Sequence, residues 1–328
     1  MTILVTGASG FVGGALARQL VEQSERVRVL LRPASDTTNI SRLDVETVHG
    51  DLRDPESLRA ALAGCRGLYH VAADYRLWAR DMSELYASNV EGTRNIMQAA
   101  LATGVERIVY TSSVATLGVF SDGRRSDEET PVTLDDMIGD YKRSKFLAEQ
   151  AVSELIRDAA LPAVIVNPST PVGPGDVKPT PTGRMIRDAA LGRMPAYVDT
   201  GLNIVHVEDV AHGHRLAFER GEVGRRYILG GEDLSLRDIL ATVAAAAGRR
   251  PPAVRIPRAA VYPIAWLQES WARLTDGAEP QATIDGLKMS RKKMYFDSGR
   301  AERELGYAYR PATDALNAAT GWFIDRAR

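Results

Sequence analysis

The sequence predicts an α/β protein built on a doubly wound parallel sheet, with a smaller C-terminal lobe interleaved with it, and three observations carry that expectation. Between Thr2 and Asn167 short β-branched runs alternate with stretches of helical length. A glycine cluster, Gly7 to Gly13, separates the first run from the first helical stretch. Beyond Asn167 the chain is rich in proline and glycine through Pro181, and its later elements are irregular.

The β-branched runs place strands at Ile3–Thr6, Arg26–Leu31, Val45–His49, Gly67–Val71, Arg107–Thr111 and Ala163–Asn167. Between them, apolar residues recur at helical spacing in Phe11–Gln23, Pro55–Ala63, Met82–Thr103 and Ile138–Ala160. Residues 1–167 therefore read as one sheet domain and 168–328 mainly as a second lobe. Ile204–Val207 and Arg226–Leu229 look like strands flanking a helix at Val210–Arg220, so roughly 204–230 is expected to return to the sheet domain. The apolar stretch Pro257–Leu274 is interrupted by Arg258, Gln268 and Glu269, which argues against a membrane span and for an amphipathic core helix buried on the sheet. No internal repeat or low-complexity tract is present.

Composition narrows the partners. Lys and Arg total 41 against 42 Asp and Glu, so no net field recruits nucleic acid or an anionic membrane, and a small molecule is the expected partner. The one cysteine, Cys65, excludes an intramolecular disulfide framework and points to a reducing compartment, by default the cytoplasm. Met1–Thr6 reads as a strand entering a glycine loop rather than as a signal peptide. No metal site is assigned.

Gly7-Ala-Ser9-Gly10-Phe11-Val12-Gly13 leaves the first strand and opens the first helix. Glycines there let the backbone turn tightly and approach a pyrophosphate, whose charge sits at the helix N-terminus; in this position the segment reads as the cofactor loop of a Rossmann-type domain. The second strand ends at Leu31-Arg32 without the carboxylate that would bind a ribose 2′-hydroxyl. The planar fork of Arg32 suits a 2′-phosphate instead, so NADP(H) is favoured over NAD(H), with a solvated strand-end arginine as the alternative.

Ser113 ends the fifth strand's Tyr110-Thr-Ser-Ser113, and Tyr141 and Lys145 lie four apart on the next long helix. That spacing puts both on one face, able to enter one cleft. A phenol with an ordinary pKa of about 10 needs a nearby cation to act as a base at neutral pH, which Lys145 supplies, while Ser113 orients the substrate oxygen. The three are the candidate catalytic residues.

This combination, with its Gly-x-x-Gly-x-x-Gly loop, resembles the short-chain dehydrogenase/reductase superfamily, and Val166-Asn-Pro168-Ser-Thr-Pro-Val-Gly-Pro174 resembles its extended branch, the NAD-dependent epimerases and dehydratases. The resemblance implies cofactor contacts from Asp51 and Leu52, from Val71, Ala72 and Ala73, from Asn89, Thr111, Tyr141 and Lys145, and from Pro168, Ser169 and Thr170. In this superfamily Asn89 would also help hold the central helix, and Met82–Thr103 with Ile138–Ala160 would form a homodimer interface. His70, at a strand end, is given no chemistry.

Four further segments, Ala73-Asp-Tyr75-Arg76-Leu-Trp78, Pro168–Pro174, Lys178-Pro-Thr-Pro-Thr-Gly-Arg184 and Met194-Pro-Ala-Tyr-Val-Asp-Thr-Gly201, resemble the hopanoid-associated sugar epimerases, as does Lys288-Met-Ser-Arg-Lys-Lys-Met294. They imply a sugar or polyol substrate and make Tyr75, Arg76, Lys178 and Arg184 candidate substrate contacts. Lys292 and Lys293 read as a solvated basic turn. Thr116-Leu117-Gly118 stands where nucleotide-sugar epimerases carry a tyrosine-glycine pair, a departure that argues against the usual sugar recognition.

Three functions follow. The leading expectation, which the family resemblance favours, is a sugar or polyol epimerase that oxidises a carbinol transiently with Tyr141 as acid and base and returns the hydride to the other face; the other two are alternatives. A reductase similar to dihydroflavonol reductases or hydroxysteroid dehydrogenases would reduce a carbonyl compound and consume NADPH, as Arg32 favours. A noncatalytic dinucleotide sensor would not need the serine, tyrosine and lysine that this chain carries.

Overall fold

A computed structural model describes residues 2–76, 78, 81–275 and 283–327. Strands β1 (Thr2–Thr6), β2 (Arg26–Leu31), β3 (Glu46–His49), β4 (Gly67–His70), β5 (Arg107–Thr111) and β6 (Ala163–Pro168) are the six expected ones, shifted by one residue at most at their ends. Helices α1 (Phe11–Glu22), α2 (Pro55–Leu62), α3 (Ser83–Tyr86), α4 (Gly92–Ala102) and α5 (Gly139–Ala159) connect them. A π-helical turn, Ala87–Glu91, bridges α3 to α4. Local chemistry sets the boundaries. Asp54 caps α2 by accepting the Glu56 N–H, with Pro55 in the first turn, and α5 ends where Ala160 turns left-handed at φ 52°.

The main sheet runs β10-β6-β5-β4-β1-β2-β3, where β7 (Thr170–Val172), β8 (Ala196–Tyr197), β9 (Gly201–His206) and β10 (Arg226–Leu229) follow in the chain. Every pairing within it is parallel. A parallel sheet covered on both faces requires strands apolar on both sides, and β4 and β6 are buried throughout. Two apolar cores cover its faces, one around Leu16, Val29 and Val207, the other around Leu62, Ile96 and Val152.

Of the two expected returning strands only β10 joins this sheet. β9 pairs parallel with β7 and antiparallel with β11 (Glu232–Ser235) in a separate three-stranded sheet. The helix between them does return: α7 (Val207–Arg220) lies on α1, where Glu208 pairs with Arg18 and accepts from Gln19 at 2.9 Å. The small sheet is covered by α6 (Pro181–Ala190), α8 (Leu236–Ala246) and the last helix, through Val172, Ile186, Ile239 and Leu316. β12 (Val254–Arg255) pairs with β8.

α9 (Arg258–Leu274) departs from the expected core helix. It turns Ala265, Glu269 and Ala272 inward and leaves Ile264, Trp266, Leu267 and Trp271 exposed by 51 to 69%. Its small side chains set its inner face, and it packs on α10 (Ile284–Met289), where Glu269 accepts the Ile284 N–H, rather than on the sheet. α11 (Gly299–Leu305) and α12 (Ala312–Ala327) complete the fold. No helix among the described residues is long and apolar enough to cross a membrane, and none of their His, Cys, Asp and Glu groupings could hold a metal ion.

Candidate active site

With every main-sheet strand parallel, the carboxyl ends share one edge, and the sheet order reverses direction between β1 and β4. A crevice at such a point outside the carboxyl ends is where open α/β sheets bind ligands. Gly7–Gly13, Arg32, Asp51, Val71–Ala73, Ser113 and Ser169 all follow strand ends at this edge.

The glycine loop is built for close approach. Gly7 has φ +73°, and a Cβ there would lie 2.7 Å from the Ala72 nitrogen; a Cβ on Gly13 would meet the Gly7 oxygen at 2.2 Å. Gly10 caps α1 without a side chain, so no side-chain cap engages the first-turn amides, Phe11 and Val12 among them. The Asn39 amide donates to the carbonyls of Ser9 at 3.3 Å, Gly10 at 3.2 Å and Gly175 at 3.0 Å, tying the loop to the segment after β7. The buried Ser169 hydroxyl has no hydrogen-bond partner among the described residues. A side-chain-free backbone cradle at a helix N-terminus and an orphaned hydroxyl at the same sheet edge fit a dinucleotide.

Around it, Arg32 is exposed, outside the ion pairs of the described residues, and close enough to Asp51 to help hold that carboxyl below its usual range, behind the larger effect of the Arg53 hydrogen bonds. The Asn95 amide donates to the Leu52 carbonyl at 3.0 Å. Asn89 is fully engaged: its oxygen accepts the Asp74 N–H at 2.7 Å, and its nitrogen donates to the Asp74 carbonyl at 2.8 Å and the Ser144 hydroxyl at 3.0 Å. It therefore joins the β4 exit to α5 rather than presenting a free amide to a cofactor. Thr111 is engaged as well. His214 Nδ1 lies 2.8 Å from the Val210 carbonyl, an acceptor only, so Nε2 accepts from the Thr111 hydroxyl at 2.9 Å. Pro168 ends β6 and Thr170 begins β7.

Ser113 and Tyr141 meet. The Ser113 hydroxyl accepts the Ala115 N–H at 3.1 Å, fixing its oxygen. Burial raises the Tyr141 phenol above its ordinary range, and the Ser113 hydroxyl close by opposes that rise. Lys145, 2% exposed, donates to the Tyr110 hydroxyl at 3.2 Å and the Thr111 carbonyl at 2.9 Å. Burial brings its pKa down to about 8, and the carboxylate of Glu149 works against that fall. Two of its three donors are thus fixed by β5. His70, between Thr6 at 2.8 Å and Thr93 at 3.1 Å, is held neutral by burial, with a pKa of about 3.

A buried polar group behind Ser113 escaped sequence reasoning. Asn167 donates to the Ser113 carbonyl at 3.0 Å and to Glu149 at 3.0 Å, and the Thr116 hydroxyl lies 2.8 and 2.9 Å from the same two acceptors, with one proton to give to either. Its signal was present, since Asn167 is a lone polar side chain in the fully buried run Ala163–Pro168.

The expected substrate contacts divide. Arg76 is clasped by Asp74, at distances down to 2.6 Å, and by Glu84 at 3.3 Å, so its guanidinium is held on its own loop rather than presented to a substrate. Tyr75 donates to the Lys178 carbonyl at 3.1 Å, bringing two of the expected segments together. Lys178 is exposed and Arg184 half-buried on α6; Leu77 lies outside the described residues.

The profile of the NAD dependent epimerase/dehydratase family matches residues 3–230. A Synechocystis protein named "Putative dihydroflavonol 4-reductase" is 46% identical over 323 residues, 97% of this chain and 93% of that one. The sterol demethylase protein B of Methylococcus capsulatus is 37% identical, over 99% of both chains. The solved structure of gox2253 is 56% identical, with a TM-score of 0.90, covering 100% of this chain and 99% of that one.

Proposed function

The chain belongs to the NAD dependent epimerase/dehydratase family, and within it we propose an NADP(H)-dependent reductase of a carbonyl compound, with Ser113, Tyr141 and Lys145 as catalytic residues. The observation that carries the reading is that Ser113, just after β5, comes close to the Tyr141 phenol of α5, one helical turn from the buried Lys145 whose ammonium is held on β5. The glycine loop, Arg32 and Ser169 would hold the dinucleotide, which when bound supplies the hydride. Ser113 anchors the carbonyl oxygen through a hydroxyl fixed by Ala115. Tyr141, protonated at neutral pH because burial raises its phenol, gives its proton to that oxygen as negative charge develops. Lys145 lowers the cost of the tyrosinate left behind. In the reverse direction the same groups remove the proton of a carbinol.

Reduction is favoured over epimerisation by Arg32, exposed at the end of β2 and outside the ion pairs of the described residues, which suits the 2′-phosphate of a reductant that is consumed. The name of the Synechocystis relative points the same way. The epimerase reading is supported by the family description and the sugar-epimerase-like segments, with a sugar or polyol retained through both half-reactions. The two separate by stoichiometry: a reductase consumes one NADPH per carbonyl reduced, whereas an epimerase consumes none. Tyr141→Phe should abolish turnover, by at least about 100-fold, while dinucleotide binding followed by fluorescence persists. Retained turnover would remove Tyr141 from the chemistry.

A further inference from the structure

Near the start of α5 a small pocket of about 70 Å³ is lined by Leu117, Met137, Met289 and Met294 together with Asp136. Two lysines complete its lining. Lys142 follows Tyr141 on α5, and Lys292 comes from the turn after α10. Both are half-buried, and neither ammonium is recorded in a hydrogen bond or ion pair among the described residues. They lie near enough for Lys292 to help hold Lys142 below its ordinary range, behind the larger effect of burial, at about 8, which still leaves Lys142 mostly protonated at neutral pH.

Of the carboxylates nearby, Asp136 shares the pocket wall: one of its oxygens accepts from the Thr133 N–H at 2.9 Å and hydroxyl at 2.8 Å, and Lys292 lies near enough to help hold it below its ordinary range, so it offsets part of the positive charge. Asp140 accepts from Tyr86 at 2.9 Å, and Asp285 pairs with Lys288 at 3.0 Å. The 21-residue α5 follows Ile138, a residue of the pocket wall that provides no side-chain cap, so the positive end of its dipole adds to the same field. Two half-buried ammoniums repel each other and are poorly hydrated, and Asp136 offsets only one of them. An anion between them removes both penalties.

Resting on the reading that the reacting carbon sits between Ser113 and Tyr141, we propose that the substrate carries a phosphate-type anion on an apolar body, with the anion held between Lys142 and Lys292 and the body against Leu117, Met137, Met289 and Met294. A phosphate suits two point-charge donors and a helix N-terminus, and the thioether-rich wall adapts to an apolar scaffold.

Binding without turnover tests this. Octyl phosphate and octanol, below their aggregation limits, are titrated calorimetrically into the full chain and into Lys142→Gln, Lys292→Gln and Lys292→Arg. Octyl phosphate should bind the native chain at least about tenfold tighter than octanol; each glutamine variant should lose about tenfold for the phosphate alone, and Lys292→Arg should retain it. Thermal melts and dinucleotide titration confirm that each variant is folded. Equal binding of phosphate and alcohol, or phosphate binding unmoved in the folded glutamine variants, overturns the proposal. Because no hydride is transferred, failure here is distinct from failure of the Tyr141→Phe test.

Discussion

Glu149→Gln isolates the electrostatic control of Lys145. Glu149 is 7% exposed, one turn after Lys145 on α5, and its charge is what keeps the buried ammonium from falling below a pKa of about 8. Neighbours one helical turn apart lie about 6 Å from each other. Coulomb's law then gives roughly 0.7 kcal/mol with water-like screening and roughly 3 kcal/mol at an effective dielectric near 20, or about half to two pH units. Lys145 must be protonated to stabilise tyrosinate, so kcat/KM falls as pH rises through its folded pKa. Removing Glu149 lowers that pKa and should move the alkaline fall to lower pH by this amount. The assay is kcat/KM for NADPH-dependent ketone reduction from pH 5.5 to 10, which reports groups of the free enzyme. The variant also loses the ion pair with Arg226 at 3.5 Å, because an amide oxygen kept toward Asn167 turns its N–H₂ to that guanidinium, at about 1–3 kcal/mol of stability, measured by urea unfolding. That structural cost lowers stability without moving the alkaline limb. A limb at the wild-type position, or moved upward, would refute the assignment of Lys145.

Two further outcomes follow from the same physics. Arg32→Gln should weaken NADPH binding by about 10- to 100-fold and leave NADH within about twofold, because a charged donor to phosphate contributes roughly 1.5–3 kcal/mol; equal losses for both dinucleotides would place Arg32 outside the 2′-phosphate site. His70 and His214 are fully buried and held neutral, with folded pKa values of about 3 and 4 against about 6.5 unfolded. As pH falls below about 6.5 the unfolded chain takes up protons that the folded chain refuses, so stability should drop by about 1.4 kcal/mol per pH unit for each histidine. Urea midpoints at pH 6.5 and 5.0 read this before most carboxylates titrate; a flat profile, or one unchanged in His214→Gln, would refute it.

The contrast between β6 and β9 shows what periodicity resolves. Ala163–Pro168 is buried along its whole length and pairs with neighbours on both sides, so its apolar run specified both strand and sheet. Ile204–Val207 is equally apolar, yet its strand joins β7, only 3 residues long, and β11. Nothing in a β-branched run names its partner, because pairing is decided by contacts distant in sequence. The site divides likewise. Gly7, Ser113, Tyr141 and Lys145 were legible because helix and strand geometry fixes what adjacent spacing can reach. Asn39 with Gly175, Asn167 with Ser113, and Lys142 with Lys292 meet only after the chain folds back. Arg76, an expected substrate contact, is paired with Asp74 and Glu84, which stand close enough in the chain for that pairing to be read from the sequence.

Helix α5 carries two lysines whose fates differ for one physical reason. Burial pulls both Lys142 and Lys145 to about 8. Lys145 faces β5, where a carbonyl, a phenol and the charge of Glu149 compensate its desolvation, so its ammonium is fixed on that strand. Lys142 is rotated about 100° around the helix toward the lobe and meets a second cation. The first environment is made by the sheet, which the family profile covers through residue 230. The second depends on a turn at Lys292, outside that profile. A likeness that spans the sheet can therefore carry the proton and hydride chemistry while leaving the substrate to be decided at the seam, and Lys142 and Lys292 are the residues whose replacement should change what binds there.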